Sequence, residues 1–383
     1  MKKSSLILIL LLSTLLTTSC WSRREIDELG FVMGLGISKT EAGLYSVVVQ
    51  VANPDALVAD VTDSRHLYTI IKSEGLTFFD ALRNLSMVAG RRLYIAHITT
   101  LIIHDSIAIE GLEDVIGFLV QDMETRLETK ILISKIPPED ILDTQNHLGV
   151  IPAVVLSTIA DNYGANSKIY ISDLHETVEA VNNPSTNYVT TLVEILPPPS
   201  KKELPQLKLT QIAIFEDDKL RGYLDYEEGQ GFNLITNNFK NALIVFESAA
   251  TGDNIVIEVL ESTTKITPSY ENEKVNFHIE LKLTGNVAER VPIKGRAHDL
   301  DIYHVQDELC RVLENKLNRS ISTAQEKYEV DYFNLSKDFH RKYPKEFKEI
   351  KDDWNEVFSH ADITVKVESN VIHSALNLNR GKI

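Results

Sequence analysis

Histidines and paired carboxylates are the residues of this 383-residue chain that could ligate a metal or act in acid–base catalysis, and the chain has 11 histidines. His175 and Glu176 begin a His-Glu-Thr-Val-Glu stretch, which lacks the second histidine that a zinc-protease helix needs. His97 and His104 lie on either side of a predicted strand, so their side chains should point to opposite faces. We therefore expect structural roles for these histidines, because a scattered histidine is more often a hydrogen-bonded structural residue than a ligand.

Three further patterns that can signal chemistry are incomplete. The Gly-Leu-Gly stretch at 34–36 has two glycines of a nucleotide-binding turn, but Lys39 stands where the third glycine of that motif would be. We therefore expect the two glycines to belong to the start of a strand. Cys310 lies in a predicted helix beside its apolar stripe, which favours an inert, partly buried thiol. Asp352 and Asp353 are adjacent on a helix and diverge around its axis. With no nucleophile elbow and no phosphate loop in the sequence, we predict a non-enzymatic protein without a cofactor or a metal.

Cys20 carries the most specific chemical signal. Lys2 and Lys3 are followed by an apolar run from Leu6 to Leu16, and then by small polar residues at 17–19. This order is typical of a secretory signal peptide, and the run is shorter than the roughly 20 residues that cross a bilayer. A cysteine placed directly after it resembles a bacterial lipoprotein signal, in which the cysteine is acylated and becomes the first residue. We predict a cleaved signal peptide at 1–19 and S-diacylglycerol and N-acyl groups on Cys20.

A second reading of Cys20 stays open. Thr17 occupies the place where lipoprotein signals usually carry leucine. An ordinary cleaved secretory peptide would leave Cys20 as a free thiol near an exposed terminus. A diacylglyceryl group would instead supply two acyl chains, about what stable membrane anchoring requires.

Arg91 and Arg92 form the most informative charged pair. They stand where a predicted helix ends and an apolar strand begins, a place where arginines bind helix carbonyls or carboxylates. The first interpretation is structural, because an arginine at a helix end needs no partner to be explained. The second interpretation is that Arg91 and Arg92 contact a partner protein.

The overall charge limits the classes of partner. The chain has 39 basic and 55 acidic residues, a formal charge of −16. Nucleic acid is held mainly by Lys and Arg, so we expect no nucleic-acid partner. The same charge should hold the body away from an anionic bilayer and leave attachment to the acyl chains of Cys20. Because Cys310 is the other of only 2 cysteines, no internal disulfide is expected.

The first half of the chain alternates predicted strands and helices. The β-branched stretch at 44–51 predicts a strand, and Thr77 with Asp80 three residues later predicts the start of a helix. The apolar run at 93–103 is typical of one central strand. The other predicted elements of this half are a strand at 68–71, a helix at 112–123, a strand at 130–136 and a helix at 150–160.

A Pro-rich stretch at 196–205 is the clearest predicted boundary, because four of its ten residues are proline. It would be a stiff linker between an N-terminal region at 20–195 and a C-terminal domain at 206–383. In that domain strands come first, with a hairpin at 211–224, and a long amphipathic helix at 302–328 follows, capped by Asp299 or Asp301. Segregated strands and helices predict an α+β fold of mixed or antiparallel sheets packed with helices. A closing strand at 363–367 would rejoin the sheet.

Four separated stretches resemble one family, the Ger(x)C lipoproteins, which are the C subunits of nutrient germinant receptors in bacterial endospores. The stretches occur in order along the whole mature chain, which makes them more specific together than any one alone. They are residues 20–26 with 34–37, residues 79–85 with Arg91, Arg92, Leu93, Tyr94 and His97, residues 214–215 with 218–220, and residues 324–328 with Asp331, Pro344 and Trp354. Ser22, where aspartate is frequent in the family, and Thr17 are small departures.

The resemblance implies a non-enzymatic protein that is lipid-anchored on the outer face of the inner spore membrane. It also implies assembly with two integral membrane subunits, A and B, into a complex that senses nutrients and triggers release of ions and dipicolinate. Three domains are implied, two of them within 20–195.

Two alternative functions belong to other classes. A solute-binding lipoprotein of a transporter would have two doubly wound lobes. A cell-envelope hydrolase would need a nucleophile, a metal or paired carboxylates.

Overall fold

The computed structural model describes residues 28–53, 67–121, 125–146, 150–183, 186–200, 202–292 and 301–374. Cys20 and the predicted signal peptide lie outside the described residues. Asp299, one of the two predicted helix caps, also lies outside them.

Within these ranges, a mixed sheet of nine strands forms the larger part of the protein. Its strands are β1 (Leu29–Lys39), β2 (Tyr45–Ala52), β3 (Tyr68–Gly75), β4 (Arg92–Tyr94), β5 (Thr100–His104), β6 (Lys130–Ser134), β7 (Val189–Leu196), β8 (Gln206–Glu216) and β9 (Lys219–Leu224). They are ordered β3-β2-β1-β5-β6-β7-β8-β9, with β4 also paired to β1. The strands from β1 through β5 and β6 to β7 run parallel, and the outer pairs are antiparallel.

Helices cover both faces of this sheet. They are α1 (Phe78–Asn84), α2 (Asp105–Glu110), α3 (Glu113–Gln121), α4 (Pro138–Leu142), α5 (Pro152–Asp161) and α6 (Leu174–Val181). Helices α1, α2, α3 and α6 contribute to the core on one face, and α4 and α5 to the core on the other. Strand β5 is therefore covered on both sides, and Leu101, Ile102 and Ile103 are almost fully buried. This double burial explains why β5 reads as a continuous apolar run.

A second sheet of four strands, ordered β10-β11-β12-β13, lies in the C-terminal part. Its strands are β10 (Leu243–Glu247), β11 (Asn254–Glu271), β12 (Lys274–Val291) and β13 (Asp362–Ser374), and the accompanying helices are α7 (Tyr226–Ile235), α8 (Ile302–Ser322), α9 (Leu335–Lys342), α10 (Pro344–Ile350) and α11 (Trp354–Ser359). Helix α8 buries Leu309, Leu313 and Leu317 in the same core as the inner face of this sheet. The carboxylate of Asp301 caps α8 by accepting from the backbone N–H groups of Tyr303 and His304.

The predicted α+β class with mixed sheets and a long C-terminal helix is confirmed. The predicted closing strand forms β13, which rejoins the four-stranded sheet by pairing in parallel with β12. The hairpin predicted at 211–224 is formed by β8 and β9.

The single strand predicted at 93–103 is wrong, because the run is divided into β4 and β5 by a 3₁₀ turn at Ile95–His97. Both strands pair in parallel with the same strand, β1. Arg92 pairs with Leu29 and Thr100 pairs with Gly34, so this run advances eight residues while β1 advances five. The turn takes up the three extra residues.

The Pro-rich stretch joins two neighbours of the nine-stranded sheet. Strand β7 ends at Leu196, which pairs antiparallel with Gln206 at the start of β8. The stretch therefore connects two strands that are hydrogen-bonded to each other. The Pro-rich sequence predicted a stiff linker between two separate domains. The reason is that the sheet continues beyond the predicted boundary as β8 and β9. The domain boundaries themselves stay predictions.

Candidate functional site

Arg91 and Arg92 lie at the end of the nine-stranded sheet where its first strand, β1, begins. Arg92 is the first residue of β4 and pairs with Leu29, the first residue of β1. Both arginine side chains are exposed. The predicted position between a helix end and a strand is confirmed, since a 3₁₀ turn at Leu85–Met87 follows α1 and β4 begins at Arg92. A contact of these arginines with a partner stays a prediction.

A groove of about 1090 Å³ opens beside these two arginines. One side is formed by α1 and the turn after it, and the other by β4. Its lining residues are Glu28, Phe79, Leu82, Arg83, Ser86, Ala89, Gly90, Arg91, Arg92, Leu93 and Ile95. The groove thus combines apolar side chains with three arginines and one acidic residue, which suits a contact surface better than a catalytic centre.

Helix α1 is held at its start by a cap and along its length by an aromatic contact with α3. The Thr77 hydroxyl accepts a hydrogen bond from the Asp80 backbone N–H at 3.1 Å, which is half of the predicted capping box. The Asp80 carboxylate accepts from Leu76 N–H at 2.9 Å, one residue before the cap. The rings of Phe79 and Phe118 lie 4.8 Å apart.

Arg83 is a groove residue that sequence reasoning missed. Its guanidinium lies 5.0 Å from the centre of the Phe79 ring, within the range of a cation–π contact. The spacing of four residues between Phe79 and Arg83 on a predicted helix was the available signal.

His97 and His104 make structural contacts. His97 packs edge-on against Phe31 at 5.3 Å and against Tyr94 at 5.4 Å. His104 precedes α2, and its Nδ1 accepts a hydrogen bond from Ser106 N–H at 3.2 Å. Across the described ranges, no group of three His, Cys, Asp or Glu residues could hold a metal ion.

The Gly-Leu-Gly stretch lies inside β1, where it permits close packing of α4 and α5. A Cβ atom on Gly34 would lie 2.6 Å from a methyl group of Leu142 and 2.8 Å from the Cβ of Ala153. A Cβ atom on Gly36 would lie 2.5 Å from both Pro138 and Val48. Side chains larger than hydrogen do not fit here, which accounts for both glycines without a nucleotide.

Cys310 is half-buried on α8, as predicted for a thiol beside the apolar stripe. Its Sγ lies 3.3 Å from the hydroxyl oxygen of Ser369 on β13. The thiol therefore takes part in the packing of α8 against the four-stranded sheet.

A polar cluster that sequence reasoning missed joins the two halves of the chain. We call Asn187, Asp331, Asn334 and Asn355 the asparagine clasp. The Asn187 backbone N–H donates to Asn334 Oδ1 at 2.7 Å, and Asn334 Nδ2 donates back to the Asn187 carbonyl at 3.2 Å. Asn187 Nδ2 donates to the carbonyl of Asp331 at 3.1 Å and to Asn355 Oδ1 at 3.2 Å. These bonds fix the start of β7 to the C-terminal helices.

Asp331 organises the C-terminal side of this clasp. Its buried carboxylate accepts from the backbone N–H groups of Leu335 at 3.0 Å and Ser336 at 2.9 Å. It also accepts from Trp354 Nε1 at 2.8 Å. Burial raises the pKa of Asp331, and the three donors oppose this shift. Asp331 and Trp354, which both belong to the family-like stretches of the sequence, therefore form one structural contact.

Cys20, the predicted lipidation site, lies outside the described residues. It precedes Glu28, a residue of the groove, by eight positions. In the described part of the chain, no helix has the length and apolar character needed to span a membrane.

Two family models match the chain and together account for most of it. The model described as "Spore germination protein N-terminal domain" matches residues 22–195. The model described as "Spore germination B3/ GerAC like, C-terminal" matches residues 210–375. The chain belongs to the Ger(x)C family of spore germination proteins.

Relatives from Bacillus subtilis (strain 168) are similar over nearly the whole length of this Ger(x)C chain. Spore germination protein KC is 25% identical, and the match covers 99% of this chain and 97% of that protein. Spore germination protein B3 is 22% identical over 97% of this chain and 98% of that protein. These relatives support a role of the chain in spore germination.

A solved structure has the same fold. The crystal structure of the GerBC protein is 19% identical to this chain, with a TM-score of 0.57, and covers 91% of this chain and 100% of that one. The chain thus shares its arrangement of sheets and helices with the GerBC protein.

Proposed function

We propose that the chain is the lipid-anchored, non-enzymatic C subunit of a spore germinant receptor. In this proposal the acylated Cys20 attaches it to the outer face of the inner spore membrane, where it assembles with the integral membrane subunits A and B. The observation that carries the proposal is the similarity to spore germination protein KC over 99% of this chain.

The character of the described side chains supports a role in assembly. The residues that could do acid–base or thiol chemistry are engaged in packing or capping, as at His97, His104 and Cys310. The groove beside Arg91 and Arg92 instead presents arginines beside apolar side chains, which suits binding better than catalysis.

The alternative of a solute-binding lipoprotein has less support. Such a protein would have two doubly wound lobes with a cleft between them. The two sheets here have nine and four strands, and the smaller is largely antiparallel. A thermal shift of the purified chain with one nutrient class would favour this alternative.

The anchor is tested by labelling cells that express the wild-type chain, Cys20→Ala or Cys310→Ala with a palmitate analogue. We expect label on the wild type and on Cys310→Ala, which is the matched cysteine control, and none on Cys20→Ala. Label on Cys20→Ala equal to that of the wild type would contradict the anchoring proposal.

The assembly is tested by purifying the chain from detergent-solubilised spore membranes. Subunits A and B should co-purify with the wild-type chain. Their absence, in a preparation that retains other membrane complexes, would contradict the assembly proposal.

A further inference from the structure

Arginines and exposed apolar residues meet at the edge of the sheet where the described chain begins. We call Arg83, Met87, Val88, Arg91 and Arg92 the anchor-side surface. Met87 is 77% exposed and Val88 is 64% exposed, in the turn that follows α1. The three arginines are also exposed and line the adjoining groove.

The charge of this surface is opposite to that of the whole protein. The chain has a formal charge of −16, which opposes approach to an anionic membrane. Of the residues that line the groove, three are arginines and only Glu28 is acidic. The anchor-side surface is therefore a local basic region on an acidic protein.

The position of the surface limits what it can face. Cys20 precedes the groove residue Glu28 by eight residues. Even a fully extended chain of that length spans at most about 29 Å, at up to ~3.6 Å per residue. If Cys20 is acylated, Glu28 is held within this distance of the bilayer, and Arg92 lies close to it because Arg92 pairs with Leu29.

We propose that the anchor-side surface binds the anionic phospholipid headgroups of the membrane and so orients the body on it. This inference rests on the proposed anchoring through Cys20. The guanidinium groups of Arg83, Arg91 and Arg92 form paired hydrogen bonds with lipid phosphates. Met87 and Val88 enter the boundary between headgroups and acyl chains, as apolar residues of interfacial segments do.

The size of the effect follows from the arginines. A basic residue near an anionic membrane surface contributes about 1 kcal/mol, which is roughly a fivefold change in binding. Replacing Arg83 and Arg92 by glutamine should therefore reduce the population of chains with this surface on the membrane by more than tenfold. The acyl anchor would still hold those chains to the bilayer.

The test uses tryptophan as a depth probe in the full-length, acylated chain. The vesicles are phosphatidylcholine with brominated acyl chains, with or without phosphatidylglycerol. Met87→Trp reports the anchor-side surface. Ile109→Trp is the matched control, because Ile109 is also an exposed apolar residue, 58% exposed, but lies on α2 beyond the opposite end of the parallel strands. The emission of the parent chain, which contains 2 tryptophans, is subtracted.

We expect bromine to quench Met87→Trp severalfold more than Ile109→Trp in vesicles that contain phosphatidylglycerol. Combining Met87→Trp with Arg83→Gln and Arg92→Gln should abolish this difference. Equal, weak quenching at both positions while the chain floats with the vesicles would overturn the proposal. Quenching of Met87→Trp that is the same with and without phosphatidylglycerol would also overturn it.

Failure of the anchor and failure of the surface give different results. A chain that does not float with vesicles contradicts the anchoring proposal. The orientation can then be measured on Cys310→Ser chains that begin at Cys20 and are coupled through that thiol to a maleimide lipid. Selective quenching of Met87→Trp in this form would support the surface without natural acylation, and its absence would contradict it.

Discussion

At the scale of single residues, the asparagine clasp shows how buried polar groups hold distant segments together. Asn187 uses its backbone N–H, its carbonyl and both amide atoms in hydrogen bonds. Removing one partner of a buried hydrogen bond is costly, because the other partner is left without water or protein. The clasp should therefore be a main determinant of stability where the two halves of the chain meet.

Asn187→Ala should lower the free energy of unfolding by roughly 1–3 kcal/mol, because several buried donors and acceptors lose their partner. Asn182→Ala is the matched control, since the exposed Asn182 side chain donates only to the Val178 carbonyl within its own helix. Urea unfolding of both variants measures the difference. Equal stability of the two would show that the clasp contributes nothing.

The buried Asp331 carboxyl predicts a pH dependence. Because burial raises its pKa above the ordinary value of 3.8, the folded chain binds this proton more readily than the unfolded chain. The stability from protonated Asp331 is therefore fully present below that value and is lost as the pH rises through the folded pKa. Asp331→Asn does not ionise, so the stability of the wild type relative to this variant should fall as the pH rises.

Urea unfolding of the wild type and Asp331→Asn, from below pH 3.8 to neutral pH, checks this sign. Asp352→Asn, at an exposed carboxylate, is the control for the substitution itself. A relative stability of the wild type that rises with pH would mean that the three N–H donors outweigh burial.

Sequence reasoning reached some residues of the site and not others. Arg91 and Arg92 were recognisable because charge stands out beside an apolar strand, and their location at the start of β4, after the turn that follows α1, is confirmed. Asn187 gave no such signal, because its partners Asp331 and Asn355 are 144 and 168 positions away. Local spacing carries no information about contacts that only the folded chain creates.

At the scale of elements, the packing of α4 on β1 depends on a missing side chain. Gly36 faces Pro138, the first residue of α4, and Val48 of β2 at distances that exclude a methyl group. Gly117 differs, because no atom lies within 4 Å of the Cβ position that alanine would add on α3. Replacement by alanine should therefore have opposite effects on stability at Gly36 and at Gly117.

Gly36→Ala should destabilise the protein by about 1–3 kcal/mol through overpacking. Gly117→Ala should stabilise it by up to about 1 kcal/mol, since alanine is a better helix former than glycine. Thermal or urea unfolding measures both effects. A neutral Gly36→Ala variant would contradict the close approach of α4 to β1.

Elements with a clear period were predictable, whereas a change of pairing register inside an apolar run was not. The recurrence of Leu309, Leu313 and Leu317 fixes α8 because one helical face is buried along its whole length. The run at 93–103 was assigned to one strand because apolar character does not reveal a change of register. Its division into β4 and β5 is set by pairing with β1.

At the scale of the whole molecule, the two halves of the chain share a core. Ile212 and Ile214 of β8 belong to the same apolar cluster as α8 and the four-stranded sheet. Strands β8 and β9 extend the nine-stranded sheet and also contact the C-terminal part. The Pro-rich composition of 196–205 suggested separation, because composition reports local stiffness and says nothing about which strands pair on either side.

Because the two halves share a core, the protein is suited to act as one rigid body. A protein that opens and closes around a solute would need two parts that move apart. The sheet, the shared core and the asparagine clasp together tie the edge that carries Arg92 to the C-terminal helices. The proposed receptor subunit would therefore sit on the membrane as one body, beside subunits A and B.

Nutrient-triggered release of dipicolinate from spores that lack this chain, in a strain without the paralogous receptors, tests the receptor role most directly. We expect loss of the response to one nutrient class, restoration by the wild-type chain and only partial restoration by Cys20→Ala. An undiminished response to every nutrient in spores that lack the chain would contradict its role as a germinant receptor subunit.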